Sequence, residues 1–578
     1  MSSPSSPGKP SPGTPSPGTV SPGTPSPGTP SPGTVSPGSP PPGAVSAGAV
    51  APVSPGTWTG GFVASELDVH IHSDPASPVA VEDLVGLALR RNPKRAHLLV
   101  SQLLAKHVPT EPALVIASGG LLGAFVARQL ADSRLAGEDG THPASLAERG
   151  SPHHAGPTPV PPTDDPLQRA ATQLTVVLRS SGPERAGAIA ALSTQVAALR
   201  TPVRDAVVLG FAETATGLGR LVANALGACY IHSTRHATPG VPLAAGFQEG
   251  HSHATSHRIV PADPRWLERP GPVVLVDDEL STGSTVINTI RELHALVPRE
   301  SYVVAALIDL RSPEDRQRFH ELAAGLGCRI SVAALGTGRI DLGPDILDRA
   351  QELIGRLPEP ALREPPTAGA PATDRVPHGR LTMLELTAED IAPVRSDRFG
   401  NAGPPEPDDI ATVARKVAGL LALQSCQGPV SVVGCEENMG LPLAVAAELE
   451  RLLPDSGVRF STTTRSPIVP LDRGDYAIAG ALSFASHDDA ADGPGIRFAY
   501  NLGGSGRRPG TIVVIPEPGS DSTALLEGNP VIGLPGLAEV LRAAANDVVI
   551  VLLPADIPGD GPALPTETAA TAPEDATP

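Results

Sequence analysis

Aromatic residues make up only 3% of this 578-residue chain, so its cores must be built from Val, Leu, Ile and Ala. Cysteine is as scarce. Cys229, Cys328, Cys426 and Cys435 are scattered, show no metal-ligand spacing and mark out no disulfide framework, which fits a reducing compartment. Basic residues are outnumbered, 43 Lys and Arg against 61 Asp and Glu, for a net charge of −18. That balance argues against general affinity for nucleic acid or an anionic membrane, while leaving room for local phosphate sites. No apolar run approaches the roughly 20 residues that span a bilayer. No basic-then-apolar segment opens the chain, so the expected location is the cytoplasm, with no membrane partner.

Proline (67) and glycine (60) are abundant. Residues 1–56 repeat Ser-Pro-Gly-x-x every five positions from Ser6 to Ser36. Proline removes amide donors and glycine adds chain entropy, so a disordered tail is expected; collagen is excluded, because it needs glycine every third residue. Three further stretches have loop or linker composition: a flexible insertion at 132–165, an interdomain linker at 357–380 and a second disordered tail at 556–578. Between them lie two ordered units, 57–356 and 381–555, long enough for two sizeable cores.

Both units alternate short apolar β-branched runs with helical periods, which predicts α/β domains with parallel sheets covered on both faces. In the first, residues 84–104 read as mostly helical with a break at Asn92-Pro93, and the basic stretch from Asn92 to Arg95, with Lys106 and His107 beyond it, reads as a solvated face or a phosphate-facing rim. Residues 113–117 read as a strand and Ser118-Gly119-Gly120 as a turn into a helix at 121–130. Strands follow at 206–211, 229–233, 273–276 and 302–310, with a closing strand at 328–334; helices are expected at 188–199, 220–226 and 313–326. In the second unit strands are expected at 381–386, 430–433, 476–484, 496–502, 511–515 and 548–553, and helices at 409–423, 441–453 and 537–545.

The chemistry concentrates at Pro272–Leu296, PVVLVDDELSTGSTVINTIRELHAL. A buried strand ends in Asp277 and Asp278; Ser281, Thr282, Gly283, Ser284 and Thr285 then lead into an amphipathic helix. A hydroxyl-rich turn at a helix N-terminus favours a phosphate, and paired carboxylates suit sugar hydroxyls directly or through Mg²⁺. One helix cap needs a single hydroxyl residue and does not account for the acid pair. A second turn of this kind, Glu213-Thr214-Ala215-Thr216-Gly217, follows the strand at 206–211. Arg235 lies just beyond the strand at 229–233. The polar stretch 247–258 carries His251, His253 and His257, but lacks a fourth ligand for a metal site.

VVLVDDELSTGST resembles the motif with which type I phosphoribosyltransferases bind 5-phosphoribosyl 1-diphosphate (PRPP). The resemblance implies a parallel-sheet phosphoribosyltransferase-like domain with Mg²⁺ and PRPP. The 5′-phosphate would lie on residues 281–285 and the ribose and Mg²⁺ at Asp277 and Asp278. The pyrophosphate would lie on the 213–217 turn and Arg235. It also places a flexible catalytic loop at 247–258; the lysine usual there is absent, leaving His257 and Arg258 as its cations. Thr464-Arg465-Ser466-Pro467 resembles the signature of the TRSP domain, which follows a phosphoribosyltransferase domain in gene clusters associated with tellurium resistance. Together with Asn92-Pro93-Lys94-Arg95 and Gly210–Gly217, the resemblance spans roughly residues 57–555. It implies a role in making or remodelling a nucleotide-like metabolite, with Thr464, Arg465 and Ser466, and Glu436 and Asn438 of a second site-like turn (434–440), as further candidates. Partners are then PRPP and an unidentified acceptor, in a chain that could form a homodimer. Two other functions use the same residues: a PRPP or nucleotide sensor without transfer, and hydrolysis or phosphorolysis of a ribosyl-phosphate conjugate.

Overall fold

The computed structural model describes residues 57–91, 95–138, 165–236, 238, 240–248, 256–269, 271–357, 378–487, 495–502 and 510–558. The Ser-Pro-Gly repeat, most of the segments at 132–165 and 357–380, and the C-terminal residues from 559 on lie outside them.

In chain order the first half comprises α1 (Gly61–Leu67), β1 (Val69–Ser73), α2 (Val81–Leu84), β2 (Val85–Leu89), β3 (His97–Ser101), α3 (Pro112–Glu138), α4 (Pro166–Arg179), α5 (Gly182–Ala198), β4 (Val207–Gly210), α6 (Thr216–Leu226), β5 (Cys229–His232), β6 (Ala245–Gln248), β7 (Ser256–Ile259), β8 (Val273–Leu280), α7 (Ser284–Leu296), β9 (Ser301–Asp309), α8 (Pro313–Leu326), β10 (Arg329–Leu342) and α9 (Ile346–Arg356). The second half continues with β11 (Arg380–Glu385), α10 (Pro407–Leu423), β12 (Val430–Gly434), α11 (Gly440–Leu452), β13 (Arg459–Thr462), β14 (Ala481–Ala485), β15 (Ile496–Tyr500), β16 (Thr511–Ile515), α12 (Ser522–Leu526), α13 (Leu537–Ala544) and β17 (Asp547–Leu552).

The first sheet has the order β1-β10-β9-β8-β4-β5, all parallel except the edge strand β1. Its register aligns Ile231, Leu209, Leu275, Val304 and Val332 across five strands. This row packs under α7 and α8, while the alternate residues, among them Val208, Tyr230, Val274 and Val303, face α3 to α6. Burial of both faces explains why these strands carry unbroken apolar runs. The second sheet, β11-β17-β16-β12-β13, is wholly parallel.

Four sequence-based expectations are corrected. Residues 84–104 form not a helix but the antiparallel β2–β3 hairpin. Every residue of β2 is buried, so no alternation survives to mark it as a strand. Residues 113–130 form one helix, α3, with no strand or turn. The glycines that suggested a turn serve close packing: a Cβ on Gly119 would come 2.4 Å from Leu221 Cβ on α6, and one on Gly120 2.8 Å from Val196 Cγ1 on α5. Among the described residues α3 is also the helix long and apolar enough to cross a membrane (24 residues from Pro112 to Leu135, mean hydropathy 1.6), and 67% of its apolar window is buried inside the protein. β10 does not close the sheet at residue 334 but runs on to Leu342, its far end paired with β1. Of the expected run 476–484 only residues from Ala481 on are strand (Ala481–Ala485), because Tyr476 and Ile478 belong to the first half's core.

That last point generalises. Ile468, Val469, Tyr476, Ala477, Ile478 and Tyr500 of the second half pack into the interior of the first. Ala105, Val115 and Leu221 of the first pack into the second. The Tyr476 hydroxyl accepts from Leu89 N at 2.8 Å and donates to the Val469 carbonyl at 2.6 Å. The deepest tie is ionic: Arg220, 2% exposed, pairs with Asp397, donates to the Gly403 carbonyl at 2.9 Å and lies over the Tyr230 ring at 4.6 Å.

Candidate functional site

In the first sheet β4 leads through α6 to β5 on one side, whereas β8 leads through α7 to β9 on the other. The chain therefore reverses direction of travel between β4 and β8, and ligands bind at such switch points, beyond the carboxyl ends of the strands. Both turns singled out from sequence emerge there.

β8 extends through Asp277 and Asp278 to Leu280, so both acids are held in ladder pairing, Asp277 opposite Ala306. They are half-buried, and Asp278 N donates to Asp277 Oδ1 at 3.0 Å. Burial first, and then the neighbouring carboxylates, push both carboxyls above the usual range. Beside them Arg95 is paired with Glu279.

The next turn needs glycine. Gly283 has φ +68°, and a Cβ there would lie 2.5 Å from the Phe319 ring. Thr282 Oγ1 stands 3.0 Å from Ser284 Oγ, and Arg318 Nη2 donates to Ser284 Oγ at 3.3 Å. Ser281 is exposed, and Thr282, Ser284 and Thr285 are half-buried at the open N-terminus of the 13-residue α7.

After β4, Glu213, Thr214 and Ala215 form the turn into α6, which begins at Thr216 and Gly217. Lys106 reaches this turn from beyond β3: Nζ lies 3.1 Å from Glu213 Oε1 and donates to Thr214 Oγ1 at 2.8 Å. Burial would raise the Glu213 carboxyl, but the Lys106 ammonium, a hydrogen bond from Thr464 and the charge of Arg235 override it, so Glu213 is held at about 2. From sequence Lys106 belongs only to a solvated face or a phosphate-facing rim. No motif marks it, and only the β2–β3 hairpin that the sequence concealed brings it here.

Arg235 lies past β5, with Nη2 3.5 Å from His257 Nε2, and His257 Nδ1 lies 2.9 Å from Ser233 Oγ. His257 is buried, and the Arg258 backbone bridges to Thr234. Both residues therefore sit on β7 at the base of the β6–β7 hairpin. Residues 249–255, the middle of the expected catalytic loop, lie outside the described residues.

The second half reaches the same turn. Besides Thr464, Arg465 approaches Glu213 Oε2 to 3.9 Å, while its Nε donates to Glu436 Oε2 at 2.6 Å; Arg497 pairs with the other Glu436 oxygen. Asn438 takes a structural side-chain bond, and Ser466 is held through its backbone. Asn438 Nδ2 donates to the Pro516 carbonyl at 2.9 Å, and the Ser466 carbonyl accepts from the Tyr500 hydroxyl at 2.5 Å. Glu437, which lies in the site-like 434–440 turn but is not among the candidates named from it, accepts from Thr234 Oγ1 at 2.6 Å and from Arg235 N at 2.9 Å. Its carboxyl, which burial would raise, is held at about 2 by His236, Arg398, His232 and Thr234. Among the described residues no three His, Cys, Asp or Glu side chains are grouped to hold a metal ion unaided.

Comparison with known proteins places two family models on the chain: a phosphoribosyl transferase domain over residues 84–339 and, over residues 395–532, the TRSP domain that lies C-terminal to it. No curated protein sequence matches. Among solved structures, the adenine phosphoribosyltransferase of Trypanosoma brucei, in complex with AMP, pyrophosphate and ribose-5-phosphate, is 17% identical (TM-score 0.18); the match covers 23% of this chain and 57% of that one. The Giardia lamblia enzyme, complexed with 9-deazaadenine, is 20% identical (TM-score 0.18; 26% and 81%). The orotate phosphoribosyltransferase of Aeropyrum pernix is 20% identical (TM-score 0.15; 33% and 78%).

Proposed function

We infer, for a chain that belongs to the family in which a phosphoribosyltransferase domain is followed by a TRSP domain, that this protein transfers the phosphoribosyl group of PRPP to an acceptor with the help of Mg²⁺. The observation that carries the inference is the meeting of the acid pair and both hydroxyl turns at the β4/β8 switch point.

Ser281 to Thr285 offer hydroxyls and α7 amides to the 5′-phosphate, with Arg318 alongside. Asp277 and Asp278 take the ribose hydroxyls. The same two oxygen-donor carboxylates fit Mg²⁺, which commonly binds through one or two carboxylates together with substrate phosphates. When bound, the ion supplies positive charge to the departing pyrophosphate. Lys106, Arg235 and the amides of the 213–217 turn hold that leaving group. Glu213, itself an anion, contributes by fixing the Lys106 ammonium over Thr214. His257 braces Arg235 from β7, and Arg258 ties β7 to the end of β5.

Calorimetric titration of PRPP into the full chain, with and without Mg²⁺, tests this. Saturable binding that tightens with Mg²⁺ is expected; absence of binding at millimolar PRPP would remove the reading. A pH dependence follows from the raised Asp277 and Asp278 carboxyls. Below their elevated folded-state pKa they are protonated, and Mg²⁺ must displace a proton. The Mg²⁺-dependent part of the affinity should therefore fall with falling pH, starting above the pH at which ordinary carboxylates protonate, with proton release visible as a buffer-dependent binding enthalpy. An affinity that falls only once pH enters the ordinary carboxylate range would contradict it.

A further inference from the structure

The second half repeats the first. In the first, β4, α6, β5, the β6–β7 hairpin, β8, a helix and β9 follow one another, with the sheet order β9-β8-β4-β5. In the second, β12, α11, β13, the β14–β15 hairpin, β16, helices and β17 follow one another, with the order β17-β16-β12-β13. The registers coincide as well. Gly210 pairs with His232 and Val276, and Gly434 pairs with Thr462 and Ile515.

With the strands so aligned, Gly210-Phe211-Ala212-Glu213 falls on Gly434-Cys435-Glu436-Glu437, and Ser233-Thr234-Arg235 on Thr463-Thr464-Arg465. Local bonds repeat too. Ser233 N donates to the Gly210 carbonyl and Thr463 N to the Gly434 carbonyl, each at 3.0 Å. His236 N donates to Thr234 Oγ1 at 3.0 Å and Ser466 N to Thr464 Oγ1 at 3.2 Å.

The two copies face each other at the carboxyl ends of their strands, and the contacts are reciprocal. Thr234 of the first donates to Glu437 of the second, and Thr464 of the second to Glu213 of the first. Tyr230 on β5 pairs with Asn401, and its counterpart Phe460 on β13 pairs with Thr110. Close packing at the two helix starts adds to these contacts without repeating residue for residue: a Cβ on Gly217 would meet Met439 at 3.0 Å, and one on Gly440 would meet Arg220 at 3.0 Å.

The copies differ in chemistry. Where β8 runs into Asp277-Asp278, β16 runs into Pro516-Glu517, and Glu517 is engaged by Arg398 at 3.2 Å. At the counterpart of the 281–285 turn stands Asp521, whose carboxylate caps the five-residue α12 by accepting from Thr523 N at 2.9 Å. A carboxylate there repels a phosphate, and Asn438 is bonded across the crevice to the end of β16.

Building on the transferase reading above, we propose that the TRSP half is an internal copy of the phosphoribosyltransferase half. On this view it has lost its own ribose-phosphate site and serves as a built-in partner, and its Arg465 binds the pyrophosphate end of the one remaining site. Arg465 is the pseudo-symmetric mate of Arg235. Its Nε donates to Glu436 Oε2 and stands 3.9 Å from Glu213 Oε2, which sets the guanidinium beside the 213–217 turn, within reach of an anion bound there.

The test is calorimetric titration of inorganic pyrophosphate with Mg²⁺, of PRPP with Mg²⁺ and of ribose 5-phosphate into the full chain, its Arg465→Gln variant and its Arg465→Lys variant. One pyrophosphate per chain is expected. Arg465→Gln should weaken pyrophosphate by about tenfold or more, the order of a lost charge-assisted hydrogen bond, with ribose 5-phosphate unchanged. If the glutamine variant does not fold, Arg465→Lys decides the matter: it keeps the charge against Glu436, and a severalfold loss confined to pyrophosphate and PRPP supports the proposal. Unchanged pyrophosphate affinity, equal weakening of both ligands, or two pyrophosphates per chain would overturn it while leaving the transferase reading intact. Wild-type protein that binds neither PRPP nor pyrophosphate would overturn both.

Discussion

Replacing Asp277 and Asp278 together with asparagine is expected to weaken Mg²⁺-dependent PRPP binding about a hundredfold, and to lower any acceptor-dependent pyrophosphate release at least as much. The fold should survive. Both side chains sit at the carboxyl end of β8, beyond the apolar stretch 273–276 that fills the core. The sign of the stability change is itself informative. Because the folded protein raises both carboxyl pKa values, ionising the pair opposes folding, a cost that builds as pH rises above the ordinary carboxylate range and is complete once pH exceeds the folded-state values. Asparagine removes the like charges, so the double variant should melt at or above the wild-type temperature at pH 7. A variant that folds and still binds PRPP with wild-type affinity would exclude these residues from the site. One that binds poorly only because it is unfolded would leave the case to the single variants.

The second large effect concerns Arg220. Its guanidinium is buried on α6, and its partner Asp397 comes from the second half, where Asn401 Nδ2 also donates to it at 2.7 Å. Asp397, which burial would raise, is held below the usual carboxylate range by the Arg220 charge and its hydrogen bond. Arg220→Ala leaves Asp397 without its cation and opens a void beside Tyr230, so a loss of about 3–5 kcal/mol in unfolding free energy is expected. Asp397→Asn should cost a similar amount. The double variant Arg220→Met with Asp397→Leu should recover much of the loss, since no unpaired charge is left inside. Denaturant titrations of the three variants check this, and a loss under about 1 kcal/mol for Arg220→Ala would show that the pair is dispensable.

What could be read from sequence divides along physical lines. β8, α7, β9 and α8 were visible because their apolar periods are uninterrupted and their turns carry distinctive residues. The β2–β3 hairpin is not, because β2 is buried on both faces and so shows no strand alternation. α3 was divided in two by Gly119 and Gly120, whose purpose is to let Leu221 and Val196 approach, a reason that exists only in three dimensions. At the site, Asp277, Asp278 and residues 281–285 are contiguous and form a motif. Lys106 and Glu437 come from distant segments, and each matters through partners, Glu213 for one and Thr234 for the other, that local sequence cannot reveal.

The interlocked halves also bear on how the protein behaves at low abundance. Two separate subunits sharing a composite site fall apart on dilution, and with them the site. Here the backbone bridges at Tyr230–Asn401 and Thr110–Phe460 and the Arg220–Asp397 pair join segments of one chain. The effective concentration of one half for the other is then fixed by tethering and not by expression level. Specific activity should accordingly stay constant from micromolar to nanomolar protein.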